Sequence, residues 1–157
     1  MVEITVRVGA APFDAAAELA ALTNGRHDVG AVVSFTGHVR GDADDRGELV
    51  ALTLEHYPAM TERALGAIAA DAVARWPLTS GAIVHRVGRL VPGEAIVLVA
   101  VASAHRAAAF AAAEFLMDWL KTRAPFWKAE ERTGGSSWVA ARTSDDIAAA
   151  RWDQPSL

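Results

Sequence analysis

Residues 2–8 alternate apolar and polar side chains with period two, which predicts a half-buried strand. Pro12-Phe13-Asp14 then opens a helix over residues 15–22, with Asp14 as its N-cap and Asn24-Gly25 as its stop. Residues 30–37, Gly-Ala-Val-Val-Ser-Phe-Thr-Gly, read as a buried strand bounded by glycines. It runs into His38-Val39-Arg40, and strand alternation puts His38 and Arg40 on one side. Residues 41–47 are polar and glycine-flanked, a loop expected to be mobile. Residues 50–56 read as the next strand, broken by Pro58. A helix over 61–76 follows, with Met60, Ala64, Leu65, Ile68, Ala72 and Val73 on one face and Pro77 as terminator. Residues 82–88 predict a strand, Val91-Pro92-Gly93-Glu94 a β-turn, and the unbroken apolar run 95–102 a central strand.

A long helix then opens at about His105, with Ser103 as candidate cap, and ends at Lys121 or Thr122. Its run from Ala107 to Leu120 is almost wholly apolar, so a buried helix delivers a lysine at its last turn. Pro125 stops it, because proline has no N–H and disfavours α geometry at Ala124. The chain restarts as Phe126-Trp127-Lys128, which returns a second lysine close to the first. Residues 126–131 and 137–141 predict a hairpin around Gly134-Gly135, and 145–151 a short helix capped by Ser144. The order βαββαββα plus a terminal hairpin is an α+β fold, with helices packed on a mostly antiparallel or mixed sheet.

The 157 residues fit a single domain spanning 1–157, and 52% hydrophobic content supplies a real core. A net charge of −4 gives no general preference for nucleic acid. There is no cysteine, which excludes disulfides and thiolate metal sites and fits a reducing compartment. The alternating start is no signal peptide, and Glu114 and Asp118 break the longest apolar run, so no membrane span is expected.

The basic groups carry the candidate chemistry. Two ammonium groups near aromatic walls, Lys121 and Lys128, make an anion site or a pair with depressed pKa. Trp127, between them, is expected in the wall; Trp76, Trp119 and Trp138 are expected in packing. His105 and Arg106 open a helix after a central strand, where free N–H groups already favour an anion. Glu55-His56 reads as a polar strand edge and His85-Arg86 as structural. No G-x-S-x-G context, metal-ligand spacing or phosphate loop is present, so no nucleophile, metal or cofactor is expected. The substrate must then bring its own nucleophile. At ~1.5 Å per residue, Arg106 and Lys121 lie roughly 22 Å apart in one helix. A complete site is therefore expected to be shared across a homodimer.

Four segments carry a resemblance: residues 30–40, residues 54–62 (Leu-Glu-His-Tyr-Pro-Ala-Met-Thr-Glu), Ser103-Ala-His-Arg106, and residues 117–128 (Met-Asp-Trp-Leu-Lys-Thr-Arg-Ala-Pro-Phe-Trp-Lys). Together with Trp138-Val-Ala-Ala-Arg142 they resemble the large, catalytic subunits of molybdopterin synthase, the MoaE family, over nearly the whole chain. The resemblance implies an α/β-hammerhead fold and a cytoplasmic sulfurtransferase of molybdenum-cofactor biosynthesis. It implies a homodimer that binds two small ubiquitin-like sulfur carriers, each ending in a Gly-Gly thiocarboxylate, as a heterotetramer. The reaction would convert cyclic pyranopterin monophosphate to molybdopterin by adding two sulfurs. The family's catalytic lysines fall on Lys121 and Lys128. Its substrate-binding residues fall on His38, Val39, Arg40, His105, Arg106, Lys128, Ala129 and Glu130, with Arg142 as a pterin-pocket residue from the partner protomer. His38 stands where relatives often have lysine and keeps a donor there; Ala129 stands where a basic residue is common, so its contribution would come through the backbone. The competing reading is a non-catalytic adaptor that docks a ubiquitin-like tail and an anion.

Overall fold

The computed structural model describes residues 2–139 and 143–153. In chain order the elements are β1 (Ile4–Gly9), α1 (Ala15–Thr23), β2 (Ala31–His38), β3 (Ala43–Asp44), β4 (Gly47–His56), α2 (Pro58–Arg75), β5 (Leu78–Arg86), β6 (Gly88–Leu90), β7 (Ala95–Ser103), α3 (Arg106–Thr122), β8 (Phe126–Arg132), β9 (Gly135–Val139) and α4 (Thr143–Ala150). One sheet has the order β1-β5-β7-β2, with only the β1–β5 pair parallel. A second runs β3-β4-β8-β9, with β6 also paired to β4. The fold is α+β and mostly antiparallel, as the element order implied, but the strands divide into two sheets rather than one.

β7 is covered on both faces, which is why its sequence is apolar without alternation. Val97, Val99 and Val101 join the main core with Leu65 and Ile68 of α2 and Phe115 and Leu116 of α3. Ala100 and Ala102 face Leu22 of α1 together with Ala82 of β5. The methyl side chains on that face let α1 pack close to the sheet. A third cluster, Val39 with Leu52, Leu54 and Leu90, sits under the second sheet.

Asp14 caps α1 as expected, accepting from the Ala17 N–H at 3.2 Å. Pro58 does not merely end β4: it occupies the first turn of α2, where its missing N–H costs nothing. The α2 face is therefore Thr61, Leu65, Ile68, Ala69 and Ala72, and Met60 is 53% exposed. Ser103 is not the cap of α3. It is buried, donates to the Pro77 carbonyl at 2.7 Å and accepts from the His105 N–H, leaving His105 at the N-cap. The polar segment 41–47 contains β3, which closes a tight hairpin onto β4. The strand expected over 82–88 begins at Leu78 and breaks at Val87, after which Gly88 (φ 90°) starts β6. α4 begins at Thr143, one residue before the expected cap.

Phe115 is fully buried and meets Trp76 and Trp152 edge-on, with centroids 5.2 and 5.6 Å away. Phe115→Ala is expected to cost about 3–5 kcal/mol, read from the shift of the urea unfolding midpoint.

Candidate active site

Three elements converge on a cleft of about 580 Å³. The end of β2 and the residues after it contribute His38, Val39 and Arg40; the last turns of α3 contribute Met117, Leu120 and Lys121; β8 contributes Phe126, Lys128 and Glu130. The register of β2 against β7 slips by one residue between Gly37 and His38. Such an irregularity re-aims the chain that follows it. Gly37 is required there, since a Cβ would sit 2.8 Å from Val97 Cγ1. Beyond the slip, Val39 is pinned by two backbone bonds, its N–H to Glu94 O at 2.8 Å and its carbonyl from Gly93 N–H at 2.7 Å. His38 Nδ1 faces the Gly93 carbonyl at 3.4 Å.

α3 ends at Thr122, and the Arg123 N–H closes the last turn on Trp119 O at 2.7 Å. After Pro125 the strand alternation of β8 decides who enters the cleft. Phe126, Lys128 and Glu130 line it, whereas Trp127 and Ala129 belong to the opposite set. Trp127 therefore is not the wall between the lysines. It is 45% exposed and meets Tyr57 edge-on at 5.0 Å. The wall is Phe126. Ala129 lies opposite Thr53 and Trp138 in the ladders and is not among the cleft-lining residues.

Two acidic groups of the cleft, Asp42 and Glu130, are engaged in ion pairs. Arg132, whose side chain is 4% exposed, pairs with Asp42 at 2.8 Å, Glu130 at 2.9 Å and Asp44 at 3.4 Å. Arg46 also reaches Glu130, at 3.2 Å. Hydrogen bonds to Asp42 and then Glu130 hold the Arg132 guanidinium more firmly charged than usual. Arg40, Lys121 and Lys128 also line the cleft.

His105 and Arg106 lie exposed at the other end of α3 and do not line this cleft. Seventeen helical residues separate the two ends by about 25 Å at ~1.5 Å per residue. Arg142 lies outside the described residues. Among the described residues no group of three or more His, Asp or Glu side chains is placed to hold a metal ion. No described helix is long and apolar enough to cross a membrane.

The sequence reading missed Phe35, Met117 and above all His85 as cleft residues. Met117 was findable: it stands one turn before Lys121 on the same helix face. His85 is buried in β5, its Nδ1–H donating to the Arg86 carbonyl at 2.8 Å. Its neighbour Arg86 is structural, as expected, donating to the carbonyls of Ala10 and Ala95.

A family model described as MoaE protein matches residues 8–123. The chain belongs to the MoaE family. A molybdopterin synthase catalytic subunit from Mesorhizobium japonicum is 60% identical over 97% of this chain and 95% of its own. A solved MoaE protein from Burkholderia ambifaria superposes with a TM-score of 0.80 at 50% identity, covering 97% of this chain and 99% of that one. The solved molybdopterin synthase from Staphylococcus aureus gives 0.78 at 32% identity, covering 85% and 96%. This MoaE-family chain thus has the architecture that the resemblance implied.

Burial pushes the His85 imidazole down from 6.5 to about 4; Lys121 and His56 add to the shift, and the Arg86 carbonyl opposes it. Above pH 6.5 both folded and unfolded chains carry this group neutral, and nothing is lost. Below 6.5 the unfolded chain takes up a proton that the folded chain refuses until about pH 4. Stability is therefore expected to fall between pH 6.5 and 4, by up to about 3 kcal/mol from this group. Urea midpoints measured across that range should fall less steeply for His85→Phe than for the natural protein.

Proposed function

We propose that this chain is the catalytic subunit of a molybdopterin synthase, a sulfurtransferase that converts cyclic pyranopterin monophosphate to molybdopterin. The observation that carries the reading is the convergence of Lys121, Lys128, Arg40 and His38 on one cleft in a chain without cysteine. A chain with no thiol cannot donate sulfur or hold it covalently as a persulfide. In this reading the two sulfurs come from the C-terminal thiocarboxylate of a small ubiquitin-like subunit. The names of the relatives support the same reading.

In this mechanism the extended Gly-Gly tail of the small subunit enters the cleft between the end of α3 and β8. Lys121 and Lys128 neutralise the thiocarboxylate and move protons as its sulfur bonds to the opened substrate ring and water cleaves the C–S bond to the small subunit, which leaves as its carboxylate. Arg40 and His38 hold anionic substrate groups. His105 and Arg106 present the positive end of a helix to the cyclic phosphate. Because α3 separates them from the lysines of their own chain, the reading places them in the site of a partner protomer, with Arg142. The assembly is then a dimer of large subunits carrying two small ones.

Lys121→Ala is expected to abolish dithiolene formation with thiocarboxylated small subunit while leaving fold and small-subunit binding intact. Full turnover by that variant overturns the role of Lys121. Binding of the tail and an anion without turnover by the natural protein would instead make the chain an adaptor. Mixing inactive Arg106→Ala and Lys121→Ala proteins is expected to restore about a quarter of natural activity, by statistical exchange of protomers. No recovery after exchange would show that each site is built from one chain.

A further inference from the structure

Phe126 opens β8 and stands between the two lysines in sequence. Its ring stacks on His85, with centroids 4.0 Å apart and planes inclined by 16°. His56 approaches the same ring at 6.0 Å and 36°. The three rings come from both sheets: His85 from β5 of the first, His56 and Phe126 from facing positions of the β4–β8 ladder. Each histidine is itself held. His85 Nδ1–H is tied to the Arg86 carbonyl at 2.8 Å, and His56 Nδ1 to the Oγ1 of the buried Thr61 at 3.1 Å.

Each lysine is held within its own element, Lys121 in the last turn of α3 and Lys128 in the β8 ladder opposite Leu54 and Val139. Between them lie a helix end, a proline turn and the first residue of a strand, three places where the direction of the chain changes. Phe126 is the side chain in that span that reaches the first sheet through an aromatic stack. We propose that His85 and His56 clamp Phe126 and are positioning residues that set the separation of Lys121 and Lys128. The inference rests on the catalytic reading of those lysines.

Three properties support it. The stack lies at the cleft, which His85 and Phe126 both line. The ring of His85 stays neutral at neutral pH, since burial and Lys121 disfavour its charged form. A neutral ring adds no charge beside two ammonium groups, whereas a cation there would push them apart. Finally, a small displacement of reacting groups has a large kinetic effect, on the order of 100-fold per ångström in severe cases.

The test uses the assembled large and small subunits, with thiocarboxylated small subunit and cyclic pyranopterin monophosphate as substrates. His85→Leu, which removes the ring, is expected to lower kcat on the order of 10- to 100-fold, with KM and small-subunit affinity changed by less than about threefold. His85→Phe, which keeps a ring to stack but loses the Nδ1 donor, is expected to restore kcat to within about threefold of natural. Unchanged kcat for His85→Leu overturns the clamp. So does a His85→Phe variant as impaired as His85→Leu, because the ring would then not be what matters. Should His85→Leu fail to fold by circular dichroism, His56→Leu carries the same expected loss of kcat, and natural kcat for it overturns the clamp. Lys121→Ala and Lys128→Ala run alongside. If they turn over normally, the catalytic reading of the lysines fails; if they are inactive while His85→Leu is normal, only the clamp fails.

Discussion

The burial of α3 against β7 and β2 is the contact on which the rest of the molecule depends. Ala108, Ala109, Ala112, Ala113, Phe115, Leu116, Trp119 and Leu120 give the helix a buried stripe over its whole length. Packing at interior density leaves a helix so buried little freedom to slide or rotate. Its last turn is therefore delivered to one place, and Lys121 with it. The first sheet is in turn stable because β7 is covered on both faces, by α1 on one side and by α2 and α3 on the other.

The second sheet supplies what that helix cannot. β8 returns the chain antiparallel to β4, so the residues that alternate with Trp127 enter the cleft. A buried arginine at the end of β8 commits Asp42 and Glu130 to ion pairs. Burying an arginine is costly unless its donors are matched, and Arg132 also finds the Gly47 carbonyl at 3.2 Å. The same network that secures the β3–β4 hairpin thus neutralises two of the carboxylates that line the cleft.

The cleft combines charged and apolar side chains. It offers ammonium and guanidinium groups, an aromatic floor and apolar side chains from Ile96, Met117 and Leu120. It offers no thiol.

Much of this was legible in the chain itself. The unbroken apolar run 95–102 could only be a doubly covered strand, and Pro125 could only end the helix that delivers Lys121. The glycine-bounded run ending in His38-Val39-Arg40 placed those residues at a strand exit, because period-two alternation is a local property. What stayed hidden depended on neighbours distant in sequence. The side of β8 that faces the cleft was fixed by its pairing with β4, which put Phe126 in the wall and sent Trp127 to the opposite face. His85 read as an ordinary polar residue in a strand, since nothing adjacent shows that Phe126, 41 positions on, stacks upon it. Local propensity and breakers settled where elements begin and end; which side chains share the cleft was decided by register and packing, because those bring together residues whose spacing along the chain carries no trace of their contact.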